Sequence, residues 1–241
     1  MYCAHQIFQK YVTMKSNPIL HAIPTEIFFT RCSNIKKITF HIVTVDTLHL
    51  IRDKTLKKVE FVNIRCTEEL FAKIKILRIL QLTFNGCDMF PNCSLCGIAD
   101  ITRVCFCNMQ LEIVQVINAC VQSQIKILQI KNVTCIPILP VPSIIAKYRY
   151  WTIYAIPTIM YDSLERLEII NCSMTQNILP FALRYLQKCA SITEFAFVDN
   201  GQQIEIEKVT LPASLKRFDV TGNHVSGVFT GKIDLIMDTY V

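Results

Sequence analysis

The sequence predicts a solenoid of stacked repeats with one short β-strand in each, and three observations carry this reading. First, a frame of apolar residues recurs along the chain. In LERLEIINCSM, Leu164, Leu167, Ile169, Cys172 and Met174 stand at offsets zero, three, five, eight and ten. The same offsets start again at Ile35, Leu56, Leu77, Ile101, Ile125, Ile192 and Leu215, and a weakened copy starts at Gln9. Second, offsets three and five differ by two, so their side chains share one face of a strand. Third, offsets zero, eight and ten break that alternation, so the chain turns there and meets the same core from another direction. A unit of roughly twenty to thirty residues cannot close a core alone, and its neighbours bury it.

The polar exceptions fit the turn. Asn85, Asn200 and Asn223 are read at offset eight, where a buried amide can hydrogen-bond backbone groups freed at the end of the strand. These frames match the pattern LxxLxLxxN/CxL, and from Val12 to Val225 the chain resembles the leucine-rich repeat family. The resemblance implies an α/β fold, a leucine-rich repeat solenoid with a curved parallel β-sheet on the concave side and helices or irregular segments on the convex side. It implies a single array over residues 1–241 of about nine units, with frame starts near 9, 35, 56, 77, 101, 125, 164, 192 and 215. Cys32 and Cys189, each three residues before a frame start, resemble the cysteine-containing subtype found in many substrate receptors of ubiquitin ligases.

Taken in order, VTMKSNPILHAIPTEIF places Val12, Met14 and Asn17 at offsets three, five and eight and reads as an atypical terminal repeat. Thr67-Glu68-Glu69 reads as a helix start, with Thr67 as cap and the acids at the positive end of the dipole, and predicts a helix over 68–76. Leu111 to Val121 and Asn177 to Lys188 also read as helices, with Pro180 inside the first turn. The long gap between the frames at 125 and 164 marks an insertion, residues 136–161, around the only tryptophan, Trp151. With Tyr148, Tyr150, Tyr154 and Tyr161 beside basic residues, it reads either as a partner-binding loop or as a longer convex helix packed on its own repeat. LPASLKRFDVTGNHVSG matches the pattern best, and no polar capping segment stands at either end. Further repeats or a capping partner are therefore expected there.

Composition narrows the function. The chain is 51% apolar and 18% charged, yet holds no uninterrupted run of about eighteen apolar residues, so no membrane span is expected. Its start, MYCAHQIFQK, lacks the apolar centre of a signal peptide. Of twelve cysteines, Cys66, Cys87, Cys135 and Cys172 fill core offsets as small hydrophobes, which favours a reducing compartment, the cytoplasm. Sequons at Asn92, Asn132 and Asn171 keep a secreted location open. Neither an enzyme nor a cofactor is expected. VSGVFTGKI near Lys232 departs from the phosphate-loop pattern at Ser226 and Ile233, and the histidines show no HExxH spacing. Cys87, Cys93, Cys96, Cys105 and Cys107 invite a zinc reading, but the frame sends Cys87 inward and Cys105 and Cys107 outward, to different sides, so no structural zinc is expected.

The start of each strand is basic. Offsets one and two hold Lys36/Lys37, Lys57/Lys58, Arg78/Ile79, Thr102/Arg103, Lys126/Ile127, Glu165/Arg166, Thr193/Glu194 and Lys216/Arg217. Adjacent strands stand about 4.8 Å apart, so these positions predict a continuous basic rim. It reads as a binding edge for another protein with an acidic surface, or as charge that keeps the sheet from pairing with other chains. Nucleic acid is disfavoured because aromatic residues rarely interleave with the basic ones. Offsets four and six, including Glu60, Gln81, Gln129, Lys131 and Glu168, form a second candidate surface. The expected function is a non-enzymatic protein–protein interaction scaffold that binds through this sheet face and the basic rim. A substrate-recognition part of a ubiquitin ligase adaptor and a secreted recognition module are the alternatives.

Overall fold

Wherever the frame falls on described residues, a short strand forms within it. The computed structural model describes residues 11–14, 35–41, 48–49, 51–89, 100–113, 116–117, 124–135, 163–174, 178–230 and 234–236. The insertion 136–161 with Trp151, the start of the first frame at Gln9, and Cys32, Asn92, Cys93 and Cys96 lie outside them. The chain divides into two units, Met1–Met109 and Gln110–Val241, which are described in turn.

The first unit holds strands β1 (Tyr11–Met14), β2 (Lys37–Phe40), β3 (Thr55–Val62), β4 (Arg65–Cys66), β5 (Arg78–Asn85), β6 (Asp88–Met89) and β7 (Arg103–Cys107). Strands β1, β2, β3, β5 and β7 lie side by side in that order, all parallel. Parallel neighbours require the chain to return to the same end after every strand. Short β4 and β6 pair in parallel beyond the strand ends. Register aligns Ile38, Val59, Leu82 and Val104 at offset three and Phe40, Phe61, Phe84 and Phe106 at offset five. All eight are buried, and the phenylalanine rings stack at centroid distances of 5.5, 5.7 and 5.3 Å. The return from β3 contains helix α1 (Glu68–Ile74), two residues shorter at its end than the predicted 68–76. Thr67 Oγ1 accepts the Leu70 N–H at 3.3 Å, as a cap should. Phe71 on α1 stacks on Phe84 at 5.5 Å, fixing the helix to the ring column.

One frame is displaced. The expected start at Leu77 put Leu80 in the core, but Leu80 is 40% exposed and Ile79 is fully buried. Ile79 pairs with Leu56, Leu82 with Val59 and Phe84 with Phe61, so the unit starts at Ile79. Gln81 accordingly stands at offset two, opposite Lys58, and not at offset four; Arg78 precedes the frame, opposite Thr55. Asn85 becomes an outward, half-buried residue, and Cys87 takes offset eight. Both readings place apolar residues at offsets zero, three and five, Leu77, Leu80 and Leu82 or Ile79, Leu82 and Phe84, so apolar alternation in LRILQLTF cannot distinguish them.

The second unit holds β8 (Gln110–Leu111), β9 (Ile127–Lys131), β10 (Thr134–Cys135), β11 (Arg166–Ile170), β12 (Glu194–Val198), β13 (Gln203–Thr210), β14 (Arg217–Asp219), β15 (His224–Thr230) and β16 (Asp234–Ile236). Strands β9, β11, β12, β14 and β16 are again neighbours in order and parallel. Leu128, Leu167, Phe195 and Phe218 share one register line, and Ile130, Ile169 and Phe197 another. Helix α2 (Leu179–Leu186), within the predicted Asn177 to Lys188, carries proline in its first turn and buries Leu179, Ala182, Leu183, Tyr185 and Leu186. Of the expected helix over 111–121, Leu111 lies instead in β8 and Glu112 is not helical, while the described Ile113, Val116 and Ile117 are helical. No helix of the described residues is long and apolar enough to cross a membrane.

Offsets seven and eight end every strand in the same way. Offset seven is left-handed in each of the frames from Leu56 onward: Asn63, Gly86, Asn108, Asn132, Asn171, Asp199 and Gly222 have φ between 51° and 73°. Asparagine, aspartate and glycine tolerate this region best. A Cβ on Gly222 would also stand 2.7 Å from the Asp199 Cα. At offset eight, a donor reaches back to the offset-five carbonyl of the preceding strand. Cys87 Sγ donates to Phe61 O at 3.3 Å, Cys172 Sγ to Ile130 O at 3.7 Å, Asn200 Nδ2 to Ile169 O at 3.0 Å and Asn223 Nδ2 to Phe197 O at 2.7 Å. The amide oxygens close the circuit, Asn200 Oδ1 accepting from Cys172 N at 2.8 Å and Asn223 Oδ1 from Gln202 N at 3.3 Å. Ile64, Met109 and Val133 fill the same position with apolar bulk.

Replacing Asn223 with leucine keeps the volume but strips these bonds, leaving Phe197 O, Val220 O and Thr221 O without the amide donor. Asn223→Leu is expected to destabilise the second unit by about 2–4 kcal/mol in urea unfolding. A loss below about 0.5 kcal/mol would show the amide to be dispensable.

Candidate functional site

At four strand starts two successive N–H groups share one carbonyl of the preceding strand. The N–H groups of Lys57 and Lys58 both donate to Lys36 O (2.7 and 3.1 Å), those of Glu165 and Arg166 to Lys126 O, those of Thr193 and Glu194 to Glu165 O, and those of Lys216 and Arg217 to Thr193 O. The shared acceptor breaks the even spacing of a parallel ladder without inserting a residue, since the register stays one to one. Offsets one and two both leave the core. In the first unit the offset-two line runs Lys37, Lys58, Gln81, Arg103, and the offset-one row runs Lys36, Lys57, Leu80, Thr102, all exposed. Lys58 Nζ is 3.0 Å from Glu60 Oε2, and Asn85 Nδ2 donates to Glu60 Oε1 at 3.4 Å. Lys36, Lys57 and Arg78 join no ion pair among the described residues.

Most cations of the same columns in the second unit are ion-paired, although exposed Lys216 is in no ion pair among the described residues. Lys126 pairs with Glu165 at 2.7 Å across adjacent strands, Arg166 with Glu194, and Arg217 with Asp219 at 3.1 Å. Glu168 gathers Lys131 at 2.9 Å, Arg166 at 3.6 Å and a hydrogen bond from Gln129 at 2.6 Å. Burial works to raise the Glu168 carboxyl, but the hydrogen bonds from Lys131 and Gln129 and the charges of Lys131 and Arg166 outweigh it and hold the group below its ordinary value. The hydrogen bond to Glu194 raises the Arg166 guanidinium further. The continuous basic rim expected from the sequence is therefore corrected: its adjacent cations outside any ion pair are Lys36 and Lys57 of the first unit, and Leu80, Gln81 and Thr102 interrupt it there. The second candidate surface is corrected as well. Gln129 is buried, Lys131 and Glu168 are committed to one another, and Gln81 lies on the rim line.

The described cysteines at frame positions face the sides the sequence predicts, although Cys87 stands at offset eight and not ten. Cys66, Cys87, Cys135, Cys172 and Cys189 are buried, while Cys105 and Cys107 lie half-exposed on the outer face of β7. A hydrogen bond with the Cys105 side chain, together with burial, pushes the Cys107 thiol far above its ordinary value. The hydrogen bond with Cys66 lowers the Cys87 thiol to about 7 against the opposing effect of burial. Among the described residues no group of three or more histidine, cysteine, aspartate or glutamate side chains is placed to hold a metal ion.

The rim residues Lys36, Lys37, Lys57, Lys58 and Arg103 are thus brought together on one unit, whereas Arg78 sits one step before them. Sequence reasoning missed Leu80, whose signal was the glycine at Gly86: placing it at offset seven with Asn63 and Asn108 moves the frame to Ile79. Asn132 and Asn171, read as sequons, occupy the same left-handed column, and Asn171 Nδ2 donates to Asn132 Oδ1 at 2.8 Å. Backbone geometry alone accounts for asparagine there.

Access outweighs acidity among the thiols, so alkylation of the native chain is expected to modify the Cys105/Cys107 pair before Cys87, despite the lowered pKa of the latter, and before Cys66, Cys135 and Cys172. Peptide mass mapping over time checks the order, and labelling of Cys87 at the rate of the pair would contradict the inward assignment. Comparison of the chain with protein-family models, with curated proteins and with solved structures gave no match.

Proposed function

We propose that the chain is a non-enzymatic interaction scaffold of the leucine-rich repeat kind, which binds an acidic segment of another protein across the strand starts of its first unit. The observation that carries this reading is the exposed neighbours Lys36 and Lys57, which join no ion pair among the described residues, set against Lys126, which pairs with Glu165 at the same offset in the second unit. Adjacent like charges about 4.8 Å apart repel, so the row costs stability that an acidic partner would recover. Protection against stray strand pairing supplies less of a reason for these cations. Strands β2 and β3 already have neighbours on both sides, and it is unpaired edges that need guarding. In the proposed array the outer sheet face would be the concave one, with Glu60 at the inner border of the cationic row.

An oligo-glutamate peptide immobilised on a sensor surface tests the reading. The parent chain is expected to associate faster as salt is lowered. Replacement of Lys36, Lys37, Lys57 and Lys58 with glutamate should slow association by about tenfold or more at low salt and flatten its salt dependence. Superimposable curves for parent and variant would remove the rim from the account. Tighter binding of an oligothymidylate than of the peptide would redirect it to a nucleic acid.

A further inference from the structure

We infer that the partner segment is acidic with one aliphatic anchor: two carboxylates over Lys36 and Lys57, and an aliphatic side chain on Leu80. This inference rests on the acidic-partner reading and adds its specificity. Leu80 occupies the same offset as the two lysines, on the next strand of the sheet, and it is 40% exposed. Its backbone is fixed, because Leu80 O accepts both Thr102 N at 3.0 Å and Thr102 Oγ1 at 3.1 Å. The side chain is therefore presented from a rigid position and is not a frayed end.

Leu80 also has apolar company. Ile76 and Leu80 are the large hydrophobic residues exposed in the first unit among the described residues, and they flank exposed Arg78 at alternate positions. A stretch that reads apolar, basic, apolar on its outward side is matched by a partner that supplies apolar and acidic groups together. An oligo-glutamate alone would satisfy the lysines and leave Leu80 in water.

The strand spacing fixes the separation within the partner. From the Lys36 strand to the Leu80 strand is two intervals of about 4.8 Å, and an extended chain advances about 3.3 Å per residue, so the anchor falls about three residues from the first acid. Lys57 takes the second acid between them. The row gives no direction to the chain, so the order acid, acid, spacer, aliphatic and its reverse are both compatible.

Fluorescence anisotropy with labelled synthetic peptides tests the inference. The probes are an octapeptide with two glutamates and a leucine three residues after the first glutamate, its reverse, and each of these with serine in place of leucine. One leucine peptide is expected to bind the parent chain about tenfold tighter than its serine counterpart. With Leu80→Ser, which alters an exposed side chain and should leave the circular dichroism of the chain unchanged, that preference should fall to about twofold or less. Equal binding of leucine and serine peptides in both orders would overturn the anchor while leaving the acidic reading in place. A preference that survives Leu80→Ser would also overturn it. Absence of binding by every peptide, at low salt, would remove the acidic reading together with the anchor.

Discussion

The left-handed residue at offset seven is the constraint on which the described structure depends. It stands at the end of each strand, and its N–H continues the ladder for one more bond: Asn63 N to Asn85 O, Gly86 N to Cys107 O, Asn132 N to Ile170 O, Asn171 N to Val198 O and Asp199 N to Thr221 O, each 2.9–3.0 Å. The reversed sign of φ then swings the chain out of the sheet. Without that swing, offset eight would continue the strand's alternation and could not reach back to the preceding strand. Cysteine and asparagine at offset eight perform one task, donation to a buried carbonyl, and the amide performs it more strongly while also accepting an N–H. An unsatisfied buried carbonyl costs on the order of 1–3 kcal/mol, so each unit that supplies a donor is tied to its predecessor by more than apolar contact.

The rim follows from the same register. Because the described strands are aligned at offsets three and five, offset one recurs at the same place on successive strands, and side chains there form rows. What the rows do depends on their composition. In the second unit, opposite charges on adjacent strands pair, and the sheet face consumes its own charge. In the first unit the row is cationic and aliphatic, and nothing among the described residues pairs with Lys36 or Lys57. Two stretches with the same backbone plan thus present different surfaces, which is how a repeated backbone acquires a particular binding preference.

Much of this was legible in the sequence, because period-two burial and the turn after it are properties of apolar spacing alone. The strands and the burial of Cys66, Cys135 and Cys172 follow from it, while the Thr67 cap was read from the two acids after it and the backbone role of Asn200 and Asn223 from their polarity at offset eight. The displaced frame at Ile79 was not legible from apolar residues, since apolar side chains stand at offsets zero, three and five in both readings. A column of Asn, Gly and Asp at offset seven would have revealed it, but that column carries no hydrophobic signal and is visible only when polar positions are aligned. The neutralisation of the second unit was hidden for another reason. Lys126 meets Glu165, and Gln129 meets Glu168, across an insertion that separates them widely in sequence, so the pairing depends on strand register and not on local spacing.

Asn171 offers the most direct test of the left-handed column, because it is exposed and its replacement removes little buried surface. Glycine adopts its φ of 51° freely, whereas a β-branched residue does not. The measurement is the urea unfolding midpoint of the parent chain, Asn171→Gly and Asn171→Val. The account predicts that the glycine variant stays within about 1 kcal/mol of the parent and that the valine variant is less stable than the glycine variant by at least about 2 kcal/mol. Equal stability of the two variants would contradict it.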